Sequence, residues 1–268
     1  MQRLIAPLFA IASLGLAGPA AAALFTEDFD GKDNVTVSLD LTSQDVVDGR
    51  TPVNTTHTVA SDKYNVVIDG SDFSAARFQD NTGGTFQVSA DFSPVQFDSS
   101  GATIGLFARN GSFPNRNGVW LRVFNTGVYT GGVDGTNGYE VNLLNNNTEL
   151  DTTGIFDLTD AGDAGTFNLT LTGIEQPNGD FEITGTFTPD PNDNPAGVSA
   201  QTLTATVAAG DIAGGDFYGI RGQHTANTVE FDADNFQAGV GQLIPEPASL
   251  TLLAFGSLLI GSRRGRCA

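Results

Sequence analysis

Between residues 24 and 247 the apolar side chains of this chain recur at every second position, and no stretch shows the 3.6-residue period of an amphipathic helix. Successive side chains of an extended chain point to opposite sides, so this alternation marks strands with one buried face. The clearest run is 85–92: Phe86, Val88, Ala90 and Phe92 share one face, Thr85, Gln87, Ser89 and Asp91 the other. The same pattern returns at 103–109 (Ile104, Leu106, Ala108), 118–124 (Val119, Leu121, Val123), 138–144 (Tyr139, Val141, Leu143), 166–172 (Phe167, Leu169, Leu171) and 181–188 (Phe181, Ile183, Phe187). Shorter runs predict strands at 24–30, 64–68, 75–79, 202–207, 217–221 and 228–237, while 35–58 is polar and ambiguous. Asn178-Gly179 is a hairpin turn signal between the runs at 166–172 and 181–188. The turn-rich segment 110–117 predicts a second hairpin, joining 103–109 to 118–124. Roughly a dozen strands with polar turns between them predict an all-β domain over 24–238, a two-sheet antiparallel jelly-roll sandwich with a core about 10 Å thick.

The charge balance narrows the partners. The chain carries 12 Lys+Arg against 31 Asp+Glu, a formal charge of −19. Four of the bases, Arg3, Arg263, Arg264 and Arg266, lie in the end segments 1–23 and 248–268, which hold no acid. The central domain is therefore more acidic still. Such a surface repels phosphate backbones and anionic headgroups and attracts divalent cations, which excludes nucleic acid as a partner. The single cysteine, Cys267, stands in the C-terminal segment, so the domain has no disulfide or thiolate chemistry of its own. Its histidines are His57 and His224 alone. No Gly-x-Ser-x-Gly elbow, His-Glu-x-x-His pair or phosphate loop is present.

The two ends read as addresses. Arg3, an apolar run over 4–16 and the small residues Ala21, Ala22 and Ala23 form a signal-peptide helix, with cleavage expected between Ala23 and Leu24. At the other end, a linker over 239–244 leads to Pro245-Glu246-Pro247, then an apolar segment over 248–261, then Arg263, Arg264 and Arg266. As a helix, the 14 residues of this segment span about 21 Å, short of the ~30 Å hydrocarbon core of a bilayer. Arginines resist translocation, so they stay in the cytoplasm and everything before Pro245 faces outward. The segment 245–268 resembles the PEP-CTERM sorting signal of Gram-negative bacteria. That resemblance implies transient residence in the inner membrane and cutting by an exosortase-type membrane protease. It also implies release to the cell surface or exterior, in company with exopolysaccharide and biofilm material.

A second resemblance rests on the bracket formed by Phe25-Thr26-Glu27-Asp28-Phe29-Asp30 and Val229-Glu230-Phe231-Asp232-Ala233-Asp234-Asn235-Phe236-Gln237. It is similar to the concanavalin A-like (laminin-G-like) jelly rolls, in which first and last strands lie side by side; other jelly rolls and galactose-binding-like sandwiches fit the same short patterns. If the ends pair, Glu27 or Asp28 approaches Asp232, Asp234 and Asn235, an oxygen-rich set of the kind calcium takes. Alternation also gathers Phe107, Arg109, Trp120, Arg122, Phe124, Glu140 and Asn142 on the face opposite the core-directed rows. Aromatic rings beside charged and amide groups are the materials of a polysaccharide-binding face. Glu230, Asp232 and Asp234 share a strand face and superficially resemble the carboxylate strand of laminarinase-type glycosidases. The third acid is Asp rather than Glu, however, and the strand is the last of the domain. The reading is a non-enzymatic surface or matrix protein that binds polysaccharide and calcium. A secreted glycoside hydrolase or lyase of the same fold, or a purely structural surface protein, is the alternative. Intact-mass measurement of the exported protein is expected to give a chain that starts at Leu24 and ends near Pro247; a product retaining residues 1–23 or 248–268 contradicts the assignment of the ends.

Overall fold

The computed structural model describes residues 25–27, 55–60, 62–69, 73–79, 84–97, 100–111, 118–127, 138–156, 159–160, 163–194, 197–212, 214–224 and 227–240. The expected signal peptide, the sorting segment and most of the linker fall outside them, with Ala23, Leu24, Asp28, Pro245, Glu246, Pro247, Arg263, Arg264 and Arg266. What is described is all β. The strands are β1 (Phe25–Glu27), β2 (Thr55–Ala60), β3 (Lys63–Asp69), β4 (Phe73–Gln79), β5 (Phe86–Gln96), β6 (Thr103–Asn110), β7 (Val119–Asn125) and β8 (Tyr139–Asn145). They continue as β9 (Thr148–Thr152), β10 (Thr159–Asp160), β11 (Asp163–Ala164), β12 (Phe167–Glu175), β13 (Phe181–Pro189), β14 (Gln201–Val207), β15 (Phe217–Gln223) and β16 (Thr228–Val240).

Two antiparallel sheets face each other. The eight-stranded sheet runs β14-β13-β12-β5-β16-β3-β2, with β1 also paired to β16; the six-stranded sheet runs β4-β15-β6-β7-β8-β9; β10 and β11 form a small ribbon. Both expected hairpins form, β6 with β7 and β12 with β13. In the second, Gly179 takes a φ of 87° and its N–H donates to the Gln176 carbonyl at 2.8 Å. The ends pair as expected, with Phe25 opposite Ala238 and Glu27 opposite Phe236.

Three sequence readings need correction. Part of the ambiguous stretch 35–58 lies in β2, an edge strand whose run Thr-Thr-His-Thr-Val-Ala has no apolar alternation to betray it. The polar strand β9 was missed for the same reason: it closes the edge of its sheet and presents both faces partly to solvent. The last strand also runs two residues into the expected linker, because Gly239 and Val240 still pair with Gln87 and Phe86.

The core lies between the sheets and is built from the alternating rows. Phe86, Phe92, Phe167, Phe187, Phe231, Phe236, Tyr64, Tyr139 and Tyr218 are its large, fully buried members. Each contributes on the order of 1.5–3 kcal/mol by leaving water. Rings from opposite sheets meet directly: Phe86 and Tyr218 have centroids 6.0 Å apart. Glycines make the room. A Cβ on Gly173 would stand 2.3 Å from the Phe86 ring, one on Gly185 would stand 2.5 Å from Leu121 of the facing sheet, and one on Gly222 would stand 2.6 Å from Ile68 and Phe231. Gly173→Ala is therefore expected to lower stability by about 1–3 kcal/mol through overpacking, read by denaturant titration. An unchanged midpoint would mean the Phe86 ring can swing clear.

Candidate functional site

The outer face of the six-stranded sheet holds most of the residues that alternation gathered. The registers set them in rows. Phe107 stands opposite Trp120, and Trp120 opposite Leu144. The next row is Arg221, Gly105, Arg122, Asn142 and Thr152, and the one after is Gln223, Thr103, Phe124 and Glu140. Phe107, Trp120, Arg122, Phe124, Glu140 and Asn142 thus share one face.

Arg109 does not. One extra residue on β6 between its pairings with Gly219 and Phe217 makes a bulge, and Arg109 takes a φ of 52° there. A bulge breaks the alternation that a straight strand would keep. The guanidinium instead lies 5.0 Å from the centroid of the Phe181 ring, which belongs to the other sheet. Its Nη1 donates to the Gly84 carbonyl at 3.5 Å.

The aromatic pair is not open either. Phe107 is 0 % and Trp120 5 % exposed, and with Leu144 and Phe217 they form a second apolar cluster. The Arg221 guanidinium, also buried, lies 3.0 Å from the Trp120 ring centroid. Cation and indole thus occupy each other's faces, and Trp120 offers no stacking surface to a sugar. Arg221 was not singled out in the sequence. It could have been, because Tyr218 and Ile220 point inward and alternation sends Arg221 out.

The accessible part of the face is the polar row beside them. Asn142 is fully buried and organises it. Its Oδ1 accepts from Arg122 Nε at 3.1 Å. Its Nδ2 lies 3.0 Å from Glu140 Oε1, 3.3 Å from Glu149 Oε2 and 2.9 Å from Thr152 Oγ1. An amide has two N–H groups, so three acceptors share them. Burial pushes the Arg122 guanidinium below its ordinary value, while Glu140 and Glu149 push it back up. The same guanidinium sits 5.0 Å from the Phe124 ring centroid. Glu149 and Thr152 stand on β9, the strand that sequence patterning missed.

Of the expected calcium set, Asp28 lies outside the described residues, and Asp232, Asp234 and Asn235 are engaged within the sheet. Asn65 donates to Asp232 at 2.9 Å and to Glu230 at 3.2 Å, so those two carboxylates serve a ladder on the outer face of the eight-stranded sheet. Asp234 stands opposite Asp91, and Asn235 Nδ2 donates to Asp91 at 2.8 Å. Glu27 stands at the register position opposite Phe236. Among the described residues no group of three or more His, Cys, Asp and Glu side chains could hold a metal ion. Nor do Glu230 and Asp232 share a groove with Trp120, which belongs to the other sheet with the core between. His224 is buried and occupied: Nδ1 accepts the Asn227 N–H, and Nε2 faces the Ser100 carbonyl at 3.2 Å.

No family model matches the chain, and no curated protein matches it in sequence. Among solved structures it is similar to an alginate lyase in complex with an alginate trisaccharide, at 9 % identity and a TM-score of 0.48, covering 83 % of this chain and 100 % of that one. It is similar to a lectin from Bauhinia forficata in complex with GalNAc, at 11 % identity and a TM-score of 0.43, covering 85 % and 96 %. A Bacillus licheniformis beta-glucanase stands at 12 % identity and a TM-score of 0.42, covering 84 % and 100 %. Likeness at this level does not carry binding or catalysis from any of them to this chain.

Replacing Asn142 by Leu keeps the branched shape and removes every one of these bonds. Glu140, Glu149 and Arg122 then lose their common partner, at an expected cost of about 2–3 kcal/mol. A thermal melt that does not move would show that Asn142 is not the brace described.

Proposed function

We propose that this is an exported, non-enzymatic protein of the cell surface or extracellular matrix that binds polysaccharide through Arg122, Phe124 and Glu140, the row that the buried Asn142 braces. The observation that carries the reading is the bracing of Arg122. One buried amide fixes a guanidinium, two carboxylates and a hydroxyl on a flat sheet face, so their directions are set before any ligand arrives. Sugar hydroxyls both donate and accept, and a fixed row of donors beside acceptors meets them without the entropy cost of ordering long side chains. The ends of the chain supply the location: the signal-peptide pattern, the Pro-Glu-Pro triplet, the short apolar segment and the arginine end. An exosortase-type protease is the processing partner, and the inner membrane is a station rather than a residence. Calcium remains a proposal that Asp232, Asp234 and Asn235 support only together with Glu27 and Asp28. The hydrolase or lyase alternative would have to draw on Glu140 and Glu149, whose carboxylates both already meet the Asn142 amide.

A glycan array probed with the protein tests the reading. Arg122→Ala and Phe124→Ala are each expected to weaken binding by about tenfold, the worth of one good polar contact. Profiles that stay unchanged in both variants, with melting intact, would remove this face as the binding surface.

A further inference from the structure

The outer face of the eight-stranded sheet repeats one residue. Thr204 stands opposite Thr184, and Thr184 opposite Thr172. In the next row Thr202 stands opposite Thr186, and Thr186 opposite Thr170. Their chain neighbours Leu169, Leu171, Ile183, Phe187 and Leu203 are buried in the core, so all six threonines face outward. Gln87 and Ser89 carry the two rows on to β5. From β14 to β5 no position of either row is charged, in a chain with 31 Asp+Glu. Acids stand one row beyond on either side, Glu182 and Asp91.

Threonine suits strands, but propensity does not ask for uniformity. In the same sheet β16 sets Glu230, Asp232 and Asp234 at the same kind of outward position. Among the described residues nothing bonds the hydroxyls of Thr184, Thr186, Thr202 or Thr204; Thr170 donates to Asn168 at 2.9 Å, and Thr172 reaches the Thr184 carbonyl at 3.5 Å. A β-branched side chain has few rotamers to choose from. The backbone beneath is held as well, since Gly185, between Thr184 and Thr186, seats Leu121 of the facing sheet. Neighbouring strands lie about 4.8 Å apart, and alternate residues along a strand about 6.8 Å. The face is thus a stiff grid of methyls and hydroxyls at those two spacings. Neighbouring strands turn by about 20–25°, so the regularity belongs to a patch of this size and not to the whole sheet.

We infer that this patch binds ice. Oxygens on the prism face of ice recur at spacings close to those two, so the hydroxyls take lattice positions and the methyls fill the gaps between them. A charged group would keep its own hydration shell against the lattice, and the rows hold none. A crystalline polysaccharide would call for aromatic rings to stack on its sugar faces, and the rows hold none of those either. The inference does not rest on the polysaccharide-binding reading, whose residues lie on the other sheet.

The test grows ice slowly from a solution of the protein and reads thermal hysteresis and the share of protein taken into the ice. Wild-type protein is expected to enter the ice and to give hysteresis. Thr202 and Thr204 are exposed, where substitution is tolerated. Thr204→Lys is expected to need about tenfold more protein for the same hysteresis, with its melting temperature and glycan profile unchanged. Thr202→Lys is expected to do the same and stands in if Thr204→Lys does not fold. The same change at an exposed position of the other sheet, Thr148→Lys, is expected to leave hysteresis alone. Exclusion of the wild-type protein from ice without hysteresis overturns the inference. So does hysteresis that neither grid variant moves, or that Thr148→Lys lowers equally. Retention on insoluble cellulose or chitin that the grid variants abolish, without ice activity, overturns it in favour of a polysaccharide crystal. Hysteresis lost in the grid variants alone supports it, whatever the glycan array shows.

Discussion

The seating of large side chains in positions that carry none sets this molecule's geometry. Leu121 fills the space over Gly185 in the facing sheet, Ile68 and Phe231 fill the space over Gly222, and Phe86 lies over its own cross-strand partner Gly173. Interiors pack as densely as organic crystals, so an added methyl at such a seat has nowhere to go. These seats fix how closely the sheets approach and which residue of one lies over which residue of the other. Every outward-facing row is placed by that register, since alternation ties each outer side chain to an inner neighbour.

The two outer faces differ in kind. On the six-stranded sheet a buried amide gathers charges around Asn142, and the neighbouring indole is shut beneath an arginine. On the eight-stranded sheet the outer rows are Thr, Ser, Asn and Asp, with hydrogen bonds running along the rows, as from Asn168 to Asp91 and from Asn65 to Asp232. Bulges mark where each regular surface gives way. One on β6 turns Arg109 to the other sheet, and one on β16 between Asp234 and Gln237 separates the pairing with β3 from that with β1.

The sequence made the inner faces legible and the outer ones only partly so. Phe86, Val88, Ala90 and Phe92, or Val119, Leu121 and Val123, announce their strands because burial punishes any other arrangement. The strand β9 buries little, and neither it nor β2 carries an apolar alternation in its sequence. Alternation placed Trp120, Arg122, Phe124, Glu140 and Asn142 on one face, but it says nothing about depth, so the burial of Trp120 could not be read from it. Arg109 failed for a local reason, the single inserted residue.

The strand β16 sits inside its sheet, between β5 on one side and β3 and β1 on the other, yet it is the last of the described strands. Its partners Phe25 and Phe86 lie more than a hundred residues upstream of Ala238 and Val240. Contacts so distant in sequence form late and slowly, because loop closure must precede their reward. A polypeptide threaded through a narrow passage N-terminus first cannot complete this sheet until nearly all of it has emerged. The topology thus works as a timer: a chain with this strand order stays unclosed until β16 is free to pair, whatever has already folded before it.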